Sequence, residues 1–162
     1  MPQSIDGYFE DFLDQMTFQT AGRTITEADI VNFAGVSGDF NPIHINATYA
    51  ANTMFGQRIA HGLLVLSIAS GLTTGLGFMG DRVEAFLGIG WKFRAPVYIG
   101  DTIHVVLQVS NLRPMRRLGG GIVTLDIQVV KQDGTPVQKG EWQVLFKSRP
   151  TSEATGEAGS ET

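Results

Sequence analysis

The chain contains no cysteine among its 162 residues. That removes disulfide frameworks, thiolate metal sites and thiol nucleophiles together. Positive charge is also scarce: 12 Lys and Arg against 16 Asp and Glu leave −4 at pH 7, a balance that speaks against a nucleic-acid partner. The opening residues, MPQSIDGYFEDFLD, are acidic where a secretory leader needs a basic start and an apolar run, so a soluble cytoplasmic protein is expected. No P-loop or H-E-x-x-H motif occurs, and no Cys or carboxylate cluster has metal-ligand spacing. The expectation is therefore neither metal nor redox cofactor. With 43% hydrophobic and 17% charged residues the chain is not a disordered one, and its length suits one domain with a full core.

What is present divides into two halves. In the first, Thr26 precedes Glu27-Ala28-Asp29 as a capping residue with an acidic third position, and Ile30, Val31, Phe33 and Ala34 follow, a helix that Gly35 or Gly38 would end. Asn46 can cap a second short helix through Thr53. From Gly62 to Gly80 no residue is charged, a run near the length of a membrane span. Five glycines and Ser67, Ser70, Thr73 and Thr74 interrupt it, and a helix apolar all round is equally one wrapped inside a domain; the buried helix is the preferred reading. The second half alternates with period two. Val83, Ala85, Leu87, Ile89, Trp91 and Phe93 share one face; Ile103, Val105, Leu107 and Val109, then Val123, Leu125, Ile127 and Val129, and finally Trp142, Val144 and Phe146 repeat it. Met16 to Thr24 is a further strand candidate, Asp133-Gly134 is a hairpin signal, and Gly119-Gly120-Gly121 reads as a turn. Strands with one apolar face need a cover, and the uncharged helix supplies it. The expected class is α+β, a curved antiparallel sheet wrapped around a central helix. Residues 1–14 read as an extension, 15–149 as the domain and 150–162 as a disordered tail.

Chemistry concentrates in Ser37-Gly38-Asp39-Phe40-Asn41-Pro42-Ile43-His44 and in Ala60-His61-Gly62. Gly38 permits a tight exit from the first helix, and Pro42 keeps Asn41 extended, so Asp39 and His44 flank a bend that can aim both into one cleft around a shared water. A carboxylate and an imidazole suit general acid–base work, although Asp-x-Asn-Pro is equally a turn in which the carboxylate bonds its own backbone. His61-Gly62 opens the uncharged helix, whose first N–H groups lack intrahelical partners. Gly62 lets a carbonyl approach that amide closely. His61 reads as a helix-start or packing residue and His104 as solvated. Arg113, Arg116 and Arg117 form a basic cluster, either a solvated loop or a phosphate contact.

These motifs, with Ser70, resemble the signature of MaoC-like (R)-specific enoyl-CoA hydratases, the hydratase 2 family. Phe93-Arg94-Ala95-Pro96-Val97 and Gly100-Asp101-Thr102 resemble the same family's strand entry, and the likeness covers residues 15 to 148. It implies a hot-dog fold and a homodimer or dimer of dimers with acyl-CoA sites at the subunit interface. It implies that Asp39 and His44 activate water, that the Gly62 amide joins an oxyanion hole, that Asn41 buttresses the loop and that Ser70 supports the pair. The implied reaction is reversible hydration of a trans-2-enoyl-CoA to a (3R)-3-hydroxyacyl-CoA, with coenzyme A part of the substrate and its phosphates meeting Arg113, Arg116 and Arg117. Alternatives are a dehydratase of a branched or dicarboxylic 3-hydroxyacyl thioester, a thioesterase, and a non-catalytic acyl-CoA-binding subunit. Phe40, Met54, Phe55, Leu72 and Phe78 are candidates to line an acyl tunnel or to be ordinary core.

Overall fold

The computed structural model describes residues 5–150; the proposed tail, from residue 151 on, lies outside them. Strands β1 (Thr17–Gln19) and β2 (Arg23–Thr24) lead into helix α1 (Glu27–Ser37), the short helices α2 (Pro42–Ile45) and α3 (Ala47–Ala51), and then helix α4 (Gly62–Thr74). The chain continues as β3 (Val83–Phe93), β4 (Thr102–Met115), β5 (Gly120–Lys131) and β6 (Pro136–Lys147). The six strands form one sheet in the order β1-β4-β5-β6-β3, with β2 also on β4, and every pairing is antiparallel. Among the described residues no helix is long and apolar enough to cross a membrane.

Local chemistry sets the element ends. Thr26 accepts the Asp29 N–H while the Asp29 carboxylate accepts from the Thr26 N–H, a reciprocal cap that starts α1. Gly38, at φ 77°, closes that helix in the left-handed region. Asn46 caps α3 through the Tyr49 N–H. The β5–β6 hairpin turns at Asp133-Gly134 as expected, with Gly134 at φ 86°. The inward faces of β4, β5 and β6 are those the period-two pattern assigned, and Val105, Leu107, Val123, Leu125, Val144 and Phe146 are completely buried.

Four expectations need correction. The uncharged helix is not enclosed: Leu64, Val65, Ile68, Ala69 and Thr73 are buried, but Leu63, Ser67, Ser70 and Gly71 form an open stripe along it. One sheet curls over one side of a helix, and a single chain has no layer for the other. Strand β3 breaks its phase at two register shifts, Val83/Ala85 and Phe86/Gly88. It is also an edge strand, so Leu87, Ile89 and Phe93 stand about half exposed. The segment read as an N-terminal extension packs on the core: Phe12 is 3% exposed and meets the rings of Phe78 and Phe146. The triple glycine is more than a turn. Gly119 makes the turn at φ 65°, whereas Gly120 and Gly121 open β5 so close to the Phe146 carbonyl and the Phe9 ring that neither has space for a Cβ.

Candidate active site

Asp39 leaves α1 just after the left-handed Gly38, and its two oxygens divide the work. Oδ1 accepts the Asn41 N–H at 3.2 Å, the backbone turn that an Asp-x-Asn sequence predicts. Oδ2 faces His44 Nε2 at 4.0 Å. The turn uses one oxygen and leaves the other facing the imidazole. The expected bend between these residues contains a single turn of helix, α2, started by Pro42 and capped by the Asn41 side chain on the Ile43 N–H. Asn41 is thus the residue that shapes this loop.

His44 is buried, and its Nδ1 lies 2.8 Å from the Ile59 carbonyl oxygen. A carbonyl only accepts, so Nδ1 carries the proton and Nε2 of the neutral ring presents a lone pair toward Asp39. Burial holds the His44 pKa below its ordinary 6.5, and the neighbouring His61 adds to that; the Ile59 carbonyl and the Asp39 carboxylate pull the other way without reversing it. The imidazole is therefore a free base at neutral pH.

His61, read from the sequence as packing or helix start, does more. Its ring stacks on His44 with centroids 3.8 Å apart, and its Nε2 donates to the Asp39 main-chain carbonyl at 2.9 Å. It thereby fixes both partners, leaving its own Nδ1 buried without a hydrogen bond. Asp39, His44 and His61 bring ligand atoms within 4.8 Å of one another, a grouping that sequence spacing did not reveal. Imidazole lone pairs lie in the ring plane, and two rings only 28° from parallel aim them side by side rather than at one ion. The arrangement fits a hydrogen-bonded pair better than a metal centre.

Gly62 is the first residue of α4, and no side chain caps that helix. The first N–H groups of an α-helix have no intrahelical acceptor. A Cβ at Gly62 would sit 2.6 Å from Phe93 Cε1, so only glycine leaves the space open. The Gly62 carbonyl accepts from Gln138 Nε2 at 2.9 Å, and Gln138 Oε1 accepts from Trp91 Nε1 at 2.9 Å. Gln138 is 2% exposed and rivets the start of α4 to the sheet. The sequence reading missed it, although extending the Phe146, Val144, Trp142 phase backwards reaches Gln138 on the inward face. Gly62 also lines a cavity of about 520 Å³ whose walls include Met54, Phe55, Leu63, Phe93 and Val97. Asp39 and His44 do not line this cavity; His44 bonds the carbonyl of one of its wall residues, Ile59, and His61 immediately precedes another, Gly62.

Several candidates fall elsewhere. Of the tunnel residues, Met54 and Phe55 line the cavity, but Phe78 is core against Phe12 and Phe18, Phe40 is exposed, and Leu72 flanks a separate depression with Arg23 and Ser67. Ser70 stands on the open stripe of α4, two turns from Gly62, and its carbonyl accepts from Thr73 and Thr74. Arg113, Arg116 and Arg117 surround the β4–β5 connection, where Met115 pairs Gly120; the cavity end of the sheet is marked by Phe93, Gln138 and Val129. Nine residues of β5 separate the two ends, about 30 Å. Asp101 of the strand-entry motif is structural: it accepts from the Tyr98 N–H, Gln132 and Lys131.

A family model described as a MaoC-like domain matches residues 11–131. The chain belongs to the MaoC-like domain family. An (R)-specific enoyl-CoA hydratase from Rhodospirillum rubrum is 39% identical over 146 residues, spanning 88% of this chain and 93% of the relative. The structure of an unliganded R-hydratase from Pseudomonas aeruginosa superposes with a TM-score of 0.73 at 29% identity and covers 96% of each chain. A Mycobacterium tuberculosis protein described as a double hotdog fold, 21% identical, superposes with a TM-score of 0.78 over 94% of this chain and 46% of that one. The fold of this MaoC-like chain is accordingly the hot-dog fold, a helix laid against a curved antiparallel sheet.

Proposed function

We propose that this protein is a hydro-lyase that adds water reversibly across a trans-2-enoyl-CoA to give a (3R)-3-hydroxyacyl-CoA. The observation that carries the reading is the 4.0 Å gap between two hydrogen-bond acceptors, Asp39 Oδ2 and His44 Nε2, next to an uncapped helix start at an apolar cavity. A gap of that size between acceptors suits a water that donates one O–H to each, which turns its lone pair outward to a substrate carbon.

The steps follow from the residues. The thioester carbonyl accepts from the Gly62 N–H, so C3 of the conjugated system becomes electrophilic. Water oxygen bonds to C3 as one of its protons passes to the Asp39–His44 pair. The C2–C3 π electrons move toward the carbonyl as an enolate, whose oxygen the Gly62 amide stabilises. The held proton then goes to C2, and one H and one OH have been added. Dehydration is the same path reversed, starting from the 3-hydroxyacyl thioester. Asn41 holds the loop, while Ser70, exposed two turns along α4, takes no part in these steps. The enzyme needs no metal or redox cofactor for this path, and coenzyme A enters as part of the substrate. It acts in the cytoplasm as a homodimer or dimer of dimers. The open stripe of α4 and the half-exposed β3 edge are the surfaces a second copy would cover.

The test is hydration of crotonyl-CoA followed by loss of enoyl-thioester absorbance, with an (R)-specific dehydrogenase reading the hand of the product. Asp39→Asn keeps the Oδ1 turn and removes the charge facing His44; a loss of about 10² or more in rate is expected. Release of free thiol instead of hydration would assign a thioesterase, and binding without turnover of any enoyl-CoA would assign a binding subunit.

A further inference from the structure

One rim of the apolar cavity is cationic. Arg94 lines both the cavity and an adjoining depression of about 290 Å³, whose other walls are Gln128, Pro136 and Lys139. The strand register sets Lys92 of β3 directly opposite Lys139 of β6, and Gln128 of β5 on the other side of Lys139. Arg94 follows two residues after Lys92, on the same outer side. Like charges directly opposite one another on adjacent strands cost stability. Even so, none of Arg94, Lys92 and Lys139 has an ion-pair partner among the described residues. The carboxylates nearest in register, Glu141 and Asp126, lie one row further along the sheet; they share a neighbouring depression with Lys92 and Lys139 but form no ion pair with either, and accept from Gln143 and Ser110.

In a chain of net charge −4, cations left unneutralised beside an apolar cavity mark a ligand with an anionic end and a neutral end. Resting on the thioester reading above, we propose that Arg94, Lys139 and Lys92 hold the phosphates of coenzyme A, and that the neutral pantetheine arm crosses the Arg94 rim so that the thioester meets Gly62. Arg94 supplies a planar fork matched to phosphate oxygens, and the two lysines supply point charges on either side. The site replaces the Arg113, Arg116 and Arg117 cluster, which stands at the far end of the sheet.

The experiment compares crotonyl-CoA with crotonyl-pantetheine, which has the same reacting group and no phosphates. For the wild type the ratio of kcat/KM, CoA thioester over pantetheine thioester, favours CoA and shrinks as salt is added. In Arg94→Ala/Lys139→Ala the ratio falls about tenfold, through KM for the CoA thioester. In Arg113→Ala/Arg116→Ala it is unchanged. A ratio kept in the first variant, or lost in the second, overturns the site. Binding of free coenzyme A and of pantetheine, measured by calorimetry, reads the same preference without turnover. Failure of the hydratase reading therefore shows as no turnover of either thioester, while the calorimetric preference and its loss in Arg94→Ala/Lys139→Ala still decide the phosphate site.

Discussion

The Gly62 amide can be deleted while the helix it starts is left intact. Gly62 is the first residue of α4, the position where proline is most readily accepted because its missing N–H has no intrahelical acceptor. The preceding His61 has φ −58° and ψ 136°, the extended conformation that a following proline requires. Gly62→Pro therefore removes one hydrogen-bond donor, and the retained carbonyl still accepts from Gln138. Proline also brings a Cβ that meets Phe93 Cε1 at 2.6 Å and Cδ1 at 2.8 Å. Gly62→Ala brings the same Cβ and keeps the N–H, so the comparison of the two isolates the donor. Phe93 is 57% exposed and its ring can swing outward, while replacing glycine in a helix gains up to about 1 kcal/mol. Both variants should melt within about 4 °C of the wild type. Loss of one oxyanion donor costs about 3–4 kcal/mol, so kcat for crotonyl-CoA hydration in Gly62→Pro should fall about 10²–10³ below that of Gly62→Ala. Equal rates in the two variants, with both folded, would refute the oxyanion role and assign any loss to the displaced Phe93.

The remaining predictions use other assays. Because burial holds His44 below 6.5 and it must be neutral to accept a proton, the acid limb of kcat/KM should inflect below pH 6.5. The Asp39 carboxylate raises His44, so the limb of the residual activity of Asp39→Asn should move to still lower pH; a move upward contradicts the pairing. The unfolded state takes up the His44 proton more readily than the folded one, so stability falls as pH drops below 6.5 and goes on falling until the lower folded-state pKa is passed. Thr26→Ala removes the α1 cap and should cost about 1 kcal/mol, seen as a melting point roughly 2–4 °C lower with kcat unchanged. Ile89→Lys places a charge on the half-exposed β3 edge and should give a monomer in sedimentation, whereas an unaltered dimer would put the interface elsewhere.

Legibility differed by kind of information. The period-two pattern located β4, β5 and β6 because each is flanked by other strands and keeps its apolar side chains on the covered face, even where the start of β5 and the end of β6 are buried on both faces. It overreached on β3, since an edge strand with two register shifts does not keep one face inward. The caps at Thr26 and Asn46 were legible because they are contacts over three residues. The site was legible as far as its local segment ran: Asp39, Asn41 and His44 are close in sequence, and Gly62 announces itself at the start of an uncharged helix. His61 under His44 and Gln138 on the Gly62 carbonyl are contacts across long stretches of chain. Density of charge in a sequence does not say at which end of a sheet the charges lie; strand register does, and it sets Arg113, Arg116 and Arg117 at the end away from the cavity.

Helix α4 begins with its amides unclaimed, since the His61 ring that could have turned toward them is committed to the Asp39 carbonyl. A Ser, Thr, Asp or Asn at that position would satisfy one of those donors, a cap ordinarily worth about 1 kcal/mol, but would give up the His61 stack on His44 and its bond to the Asp39 carbonyl. The same side chain would occupy the place where a thioester oxygen must arrive, as an inhibitor built into the polypeptide. The uncapped end of α4 is therefore the end at which, on the function proposed above, a bound thioester oxygen would act as the missing cap.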